Sequence, residues 1–195
     1  MSTLKDFFAE SVATAIRNQQ LRTIEVAQSY LVDLLIEYVR IEGLRSAGPE
    51  ADEPLALMLN RALLAPPAER VHVLRQMGDQ ALFLSGYFAD RVDRTAVGIG
   101  YYIAMGEGAY GTLSGLLRGT TEREASVSHL FEELAAKFAR FVGVLNEVSD
   151  RTFAANPVSL IKLYERWQRT RSPHYVERLI AKDAVPLLID GPVRE

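Results

Sequence analysis

The sequence predicts an all-α protein, a single domain of residues 1–195 built as a bundle of about eight helices with a long central helix near residues 122–150. Three observations predict it. Apolar residues recur at alternating spacings of three and four along most of the chain, the period of a helix with one buried face. No long stretch alternates apolar and polar with β-branched or aromatic residues, and no Asn-Gly turn joins two such runs. The breaks between helical periods carry start and stop signals, Ser, Thr or Pro ahead of a run and Gly or Pro behind it.

Taken in order, Ser2 or Thr3 caps a first helix, whose apolar positions Leu4, Phe8, Val12, Ala15 and Ile16 fall on one side. After Asn18-Gln19-Gln20, Thr23 caps a second helix with the seam Ile24, Ala27, Leu31, Leu34, Tyr38 and Ile41, widened by Tyr30 and Leu35. The pattern stops at Gly43, and residues 43–52, with Gly48-Pro49, read as a loop. Pro54 opens a short helix carrying Leu55, Leu59, Ala62 and Leu63, which Pro66-Pro67 must end. The next helix, 68–92, has the seam Val71, Leu74, Gly78, Ala81, Ser85, Phe88 and Val92, small in its middle.

The helix after it, 99–117, lines up Gly100, Ala104, Gly108, Gly111 and Gly115 on one face. Two small-residue stripes on consecutive helices predict a tightly packed pair, because small side chains let a neighbouring backbone come close. Interior glycine costs roughly 0.5–1 kcal/mol relative to Ala, so this helix depends on tertiary packing. The competing expectation is that the stripe borders a ligand pocket. Gly106 lies off the stripe.

Gly119-Thr120-Thr121 supplies a break and a cap, and the helix at 122–150 follows with the seam Val127, Phe131, Leu134, Phe138, Phe141, Leu145 and Val148. Asn156-Pro157 starts a seventh helix with Leu160, Leu163, Tyr164 and Trp167. Ser172-Pro173 starts an eighth with Val176, Leu179 and Ile180. The tail 184–195 begins apolar but without helical period, and is expected to dock on the body or on a second subunit.

Composition narrows the function classes. Hydrophobic residues at 48% and charged residues at 24% are globular values. The net charge of −3, with Lys and Arg spread along the chain, argues against a nucleic-acid partner. The absence of cysteine removes disulfides, thiol nucleophiles and Cys-held metal or iron–sulfur sites. The N-terminal Met1-Ser2-Thr3-Leu4-Lys5-Asp6 stretch has no continuous apolar core of the secretory type, and a cytoplasmic location is expected.

No GxSxG, GxxxxGK[ST], HExxH or EF-hand pattern is present. Gly106 to Gly111 matches a bare GxGxxG, but in a helical context without the strand–turn–helix that a dinucleotide site needs. His72, His129 and His174 fall on three different helices and do not form the Glu-x-x-His pairs of a di-iron bundle. No catalytic residue, metal site or cofactor is therefore expected.

Glu107 is the single charge in the 22 residues from Ala96 to Leu117, with Tyr101, Tyr102 and Tyr110 around it. It either faces water or finds partners inside. That run also has transmembrane length, which its glycines and its carboxylate argue against. Asp79, Gln80, Tyr87 and Asp90 could face the same space, though their ordinary place is in solvent.

The leading expectation is a non-enzymatic helical interaction or scaffold module that associates with itself or with a protein partner. The alternative is a small-molecule-binding bundle, conceivably an enzyme, with a pocket between the helices near 68–92 and 99–117 lined by Tyr87, Tyr101, Tyr102, Glu107 and Tyr110. A membrane-associated protein acting through 96–117 is third. Tyr164, Trp167 and Arg171 have the composition of an interaction surface.

Overall fold

The computed structural model describes residues 3–45, 53–92, 97–119 and 122–155. It divides into two compact units, Met1–Ser149 and Asp150–Glu195. The predicted helices at 156 and 172, the tail 184–195, and with them Tyr164, Trp167 and Arg171, lie outside the described residues.

Among the described residues every regular element is a helix: α1 Leu4–Asn18, α2 Glu25–Arg45, α3 Leu55–Leu64, α4 Pro67–Tyr87, the single turn α5 Ala89–Val92, α6 Gly98–Leu116, α7 Glu122–Ala136 and α8 Phe138–Ala155. The all-helical bundle is thus the fold of the described chain. No helix among these residues is long and apolar enough to cross a membrane.

Local signals set the first helix. Thr3 and Asp6 form a reciprocal capping box, and Phe8, Val12, Ala15 and Ile16 turn inward. At the far end Leu21 N–H bonds Ile16 O and Gln20 N–H bonds Arg17 O, the paired closure of a helix ending in a left-handed residue. That residue is Gln20, at φ 50°. The next helix begins at Glu25, with Ile24 O taking its first bonds, so Thr23, the expected cap, stands one residue ahead of the cap position. It continues to Arg45, so Gly43 lies within the helix rather than ending it.

In α3 the inward face is Leu55, Met58 and Ala62, while Leu59 and Leu63 are exposed. Pro67 occupies the first turn of α4, where its missing N–H costs nothing.

Two predicted long helices are broken, and tertiary contacts account for both breaks. The 68–92 helix stops at Tyr87 and restarts as α5. The Tyr87 carbonyl accepts a hydrogen bond from Ser149 Oγ at 2.7 Å, and Phe88 leaves the helix to sit edge-on against Phe83 and Tyr87. The 122–150 helix is interrupted at Lys137, with no glycine or proline nearby to cause it. Lys137 Nζ donates to Arg22 O at 2.8 Å and Arg140 donates to Gln19 O at 2.9 Å, so the junction holds the α1–α2 connection. Ahead of the break α7 packs on α6 and α2; after it Phe138 still packs on α6, and the rest of α8 meets α4 and the end of α1.

The core is continuous through Phe8, Leu31, Met77, Phe83, Tyr110, Phe138, Phe141 and Leu145, all fully buried. Phe131, Leu134 and Val148 are buried as the seam predicts, but Val127 is exposed.

The α4–α6 pair is real, but its contact surface is not the expected one. Gly78 receives the ring of Tyr110, Gly86 receives Leu145 of α8, and Gly106 receives the ring tip of Phe138. Gly100, Gly108 and Gly115 have nothing within 4 Å of where a Cβ would stand, and Gly111 only meets Ala135 at 3.9 Å. The predicted stripe therefore faces outward, and Gly106, expected off the contact, is the glycine of α6 that is packed.

Candidate functional site

Two residues of the outward stripe, Ala104 and Gly108, border a groove of about 370 Å³ between α3, α4 and α6. Its walls are Leu59 and Leu63 from α3, Leu74 and Met77 from α4, and Met105 and Ala109 from α6. Ala104 and Gly108 add little bulk, which keeps the space open. The sharp Ala65-Pro66-Pro67 corner folds α3 back along α4.

Among the described residues two polar ones, Arg70 and Thr112, line the groove, and both are engaged within the chain. Arg70 donates to Ala62 O at 3.0 Å, Ala65 O at 3.2 Å and Leu63 O at 3.4 Å, so its guanidinium closes the carbonyl end of α3. Thr112 Oγ1 donates to Gly108 O at 2.8 Å. Two leucines at the end of α3 are exposed, Leu63 of the groove wall at 67% and its chain neighbour Leu64 at 79%. What the groove offers is apolar contact rather than an acid, a base or a nucleophile.

A second cluster lies inside the bundle. Asp79, only 8% exposed, is turned toward α2 and α6. Its Oδ1 accepts hydrogen bonds from Tyr30 at 2.5 Å and Tyr110 at 2.6 Å, and Arg75 Nε lies 3.6 Å from Oδ2. Arg75 also donates to Tyr30 Oη at 3.3 Å and stacks on that ring. Burial pushes the Asp79 carboxyl above the ordinary carboxylate range, against the hydrogen bonds from Tyr110 and Tyr30 and the charge of Arg75. Burial, then the Asp79 charge, likewise pushes both tyrosine hydroxyls up. The expectation that Asp79 is solvated is thus overturned: tertiary packing supplies donors from two other helices, which a single-helix pattern does not contain.

The five residues expected to line a pocket are dispersed. Tyr110 is fully buried in the Asp79 cluster and Tyr87 is stacked on Phe83 within the core. Tyr101 and Tyr102 are half-buried and touch each other edge-on. Glu107 is exposed. None of the five lines the groove. Gln80 is half-buried and donates to Glu53 O at 3.0 Å. His72 and His129 are exposed, and His174 is outside the described residues; among those described, no His, Asp and Glu gather as metal ligands.

The signal that could have found the groove is in α3 itself. Its sequence LALMLNRALL is apolar nearly all round, which implies two faces to cover rather than one.

Fold and groove together define a helical bundle with an apolar cleft on one side. Comparison of the chain with protein-family models, with curated proteins and with solved structures found no match.

Proposed function

We propose that this chain is a non-enzymatic helical interaction module that self-associates through the face formed by α3, α4 and α6. The observation that carries the reading is the juxtaposition of an apolar hollow with the exposed Leu63 on its wall, next in the chain to the exposed Leu64. A twofold contact places the same patch on both copies, so leucines of one copy enter the hollow of the other. Exposed apolar patches of this kind mark interaction sites, and an apolar centre with a polar rim is the usual anatomy. The open glycines of α6 let a partner backbone come close. A cytoplasmic setting suits a chain with no cysteine.

A small-molecule reading rests on the volume, about 370 Å³, which falls in the usual ligand-pocket range of roughly 300–1,000 Å³. Such pockets orient their ligands with a few convergent polar groups, and here Arg70 and Thr112 are spent on the chain's own carbonyls. Self-association is the better-supported reading.

Sedimentation velocity and native mass spectrometry over a concentration series test it. The parent chain is expected to move reversibly from monomer to dimer, and Leu63→Asp to stay monomeric with an unchanged circular dichroism spectrum. A parent that is monomeric at its highest soluble concentration, or a Leu63→Asp dimer, refutes the reading. A retained small mass on the monomer transfers it to ligand binding.

A further inference from the structure

The chain turns from α3 into α4 at Ala65-Pro66-Pro67, and the two prolines leave two carbonyls of α3 without their helical donors. A helical carbonyl accepts from the N–H four residues further on. For Ala62 O and Leu63 O those positions are Pro66 and Pro67, which carry no N–H. Water is a poor substitute at this corner, because Ala62 and Ala65 are buried. Arg70 supplies what the prolines cannot. Its Nε donates to Ala62 O at 3.0 Å, and its Nη2 donates to Leu63 O at 3.4 Å and to Ala65 O at 3.2 Å. The guanidinium fork thus serves carbonyls of successive residues and brings a positive charge to the negative end of the helix.

We propose that Arg70 is the positioning residue of the α3–α4–α6 face: standing in for the two missing proline donors, it holds the last turn of α3 and fixes Leu63 where a second copy of the chain receives it. This inference rests on the reading of that face as a self-association surface. Leu63 is exposed on the groove wall, so its direction is set by the backbone beneath it rather than by burial of its own side chain. That backbone is what Arg70 grips, since the Leu63 carbonyl is one of the three acceptors and the Ala62 carbonyl is its neighbour. Arg70 also lines the groove, so the anchor and the residue it aims belong to one site. A turn that is already ordered spares association the entropy of ordering it, whereas a loosened turn has to be fixed when the two copies meet. Lysine is no equivalent, because one nitrogen on a flexible stem lacks the paired, rigidly spaced donors of the fork.

The test uses the full chain and three variants. Arg70→Met keeps an unbranched apolar side chain without donors, Arg70→Lys keeps the charge without the fork, and Val12→Ala truncates a core residue of α1 that does not line the groove. The dimer Kd is measured by sedimentation velocity, and amide hydrogen exchange of residues 60–65 is followed at a concentration where the chain is monomeric. Arg70→Met is expected to speed exchange across those residues and to raise Kd about tenfold or more, with Arg70→Lys between it and the parent. Val12→Ala is expected to lower the urea midpoint while leaving Kd and the α3 exchange as in the parent, which separates positioning from a general loss of stability. If Arg70→Met does not fold, Arg70→Lys carries the same comparison.

A Kd within about threefold of the parent in the Arg70 variant, unchanged α3 exchange, or an equal rise of Kd in Val12→Ala overturns the proposal. A parent that never dimerises refutes the self-association reading and this inference with it. A dimeric parent indifferent to Arg70 refutes this inference alone.

Discussion

A methyl group added at Gly106 is expected to cost stability, while the same methyl added at Gly108, two residues along α6, is expected to increase it. Neither glycine has a positive φ, so Ala can adopt the backbone at both sites. Both substitutions share the helix-propensity gain of roughly 0.5–1 kcal/mol. They differ in what the new atom meets. At Gly108 nothing lies within 4 Å. At Gly106 the methyl overlaps the ring tip of Phe138, which is fully buried and packed against Tyr110 at 5.8 Å between ring centroids, so the ring cannot swing aside.

Overpacking of that kind costs about 1–3 kcal/mol, and because the propensity gain is common to both variants it is also the expected difference between them. At about 2–4 °C per kcal/mol for a chain of this size, Gly106→Ala should melt roughly 2–12 °C below Gly108→Ala. The assay is thermal and urea unfolding of both variants and the parent, at a concentration low enough that self-association does not contribute. A Gly106→Ala midpoint at or above that of Gly108→Ala would refute the assigned phase of α6.

Four further outcomes are expected. Phe138→Ala should lose ~3–5 kcal/mol in urea unfolding, the range for truncating a core phenylalanine, and a loss under about 1 kcal/mol would contradict its burial. Tyr110→Phe removes one of the two donors to Asp79 Oδ1 and should cost about 1–3 kcal/mol by denaturation, while moving the Asp79 titration midpoint further up. Gln20→Gly should raise the melting temperature, since a non-glycine residue in the left-handed region is strained by roughly 1–2 kcal/mol and glycine is not. Asp6 is held below the usual carboxylate range by the backbone N–H and then the hydroxyl of Thr3, so its contribution to the α1 cap is complete above pH 3.8 and is lost as pH falls through the lower folded value. Asp6→Asn should remove that acid limb from the unfolding curve.

Much of the helical bundle was written in local chemistry. Thr3 and Asp6 cap α1 because the side chain and backbone that meet are three residues apart, and Pro67 begins α4 because its ring suits a first turn. The inward faces of α1 from Phe8 to Ile16 and of α2 from Ala27 to Leu34 followed from spacing, whereas Leu4, expected on the same face of α1, is exposed.

In α6 spacing gives no such guide. With one carboxylate in the helix and small residues on several sides, period alone does not distinguish the face that receives Phe138 from the one left open at Gly108. The same holds for Asp79, whose burial depends on tyrosines 49 residues before it and 31 after. It holds as well for the break at Lys137, which answers to carbonyls at the end of α1 rather than to any helix breaker in its own segment. The sequence alone determined which segments are helical and where most of them begin, because hydrogen bonds and caps within a helix join residues three or four apart. The tertiary structure decided which faces meet, which glycines are filled and which carboxylate is buried, because those depend on side chains brought together from helices far apart in the chain.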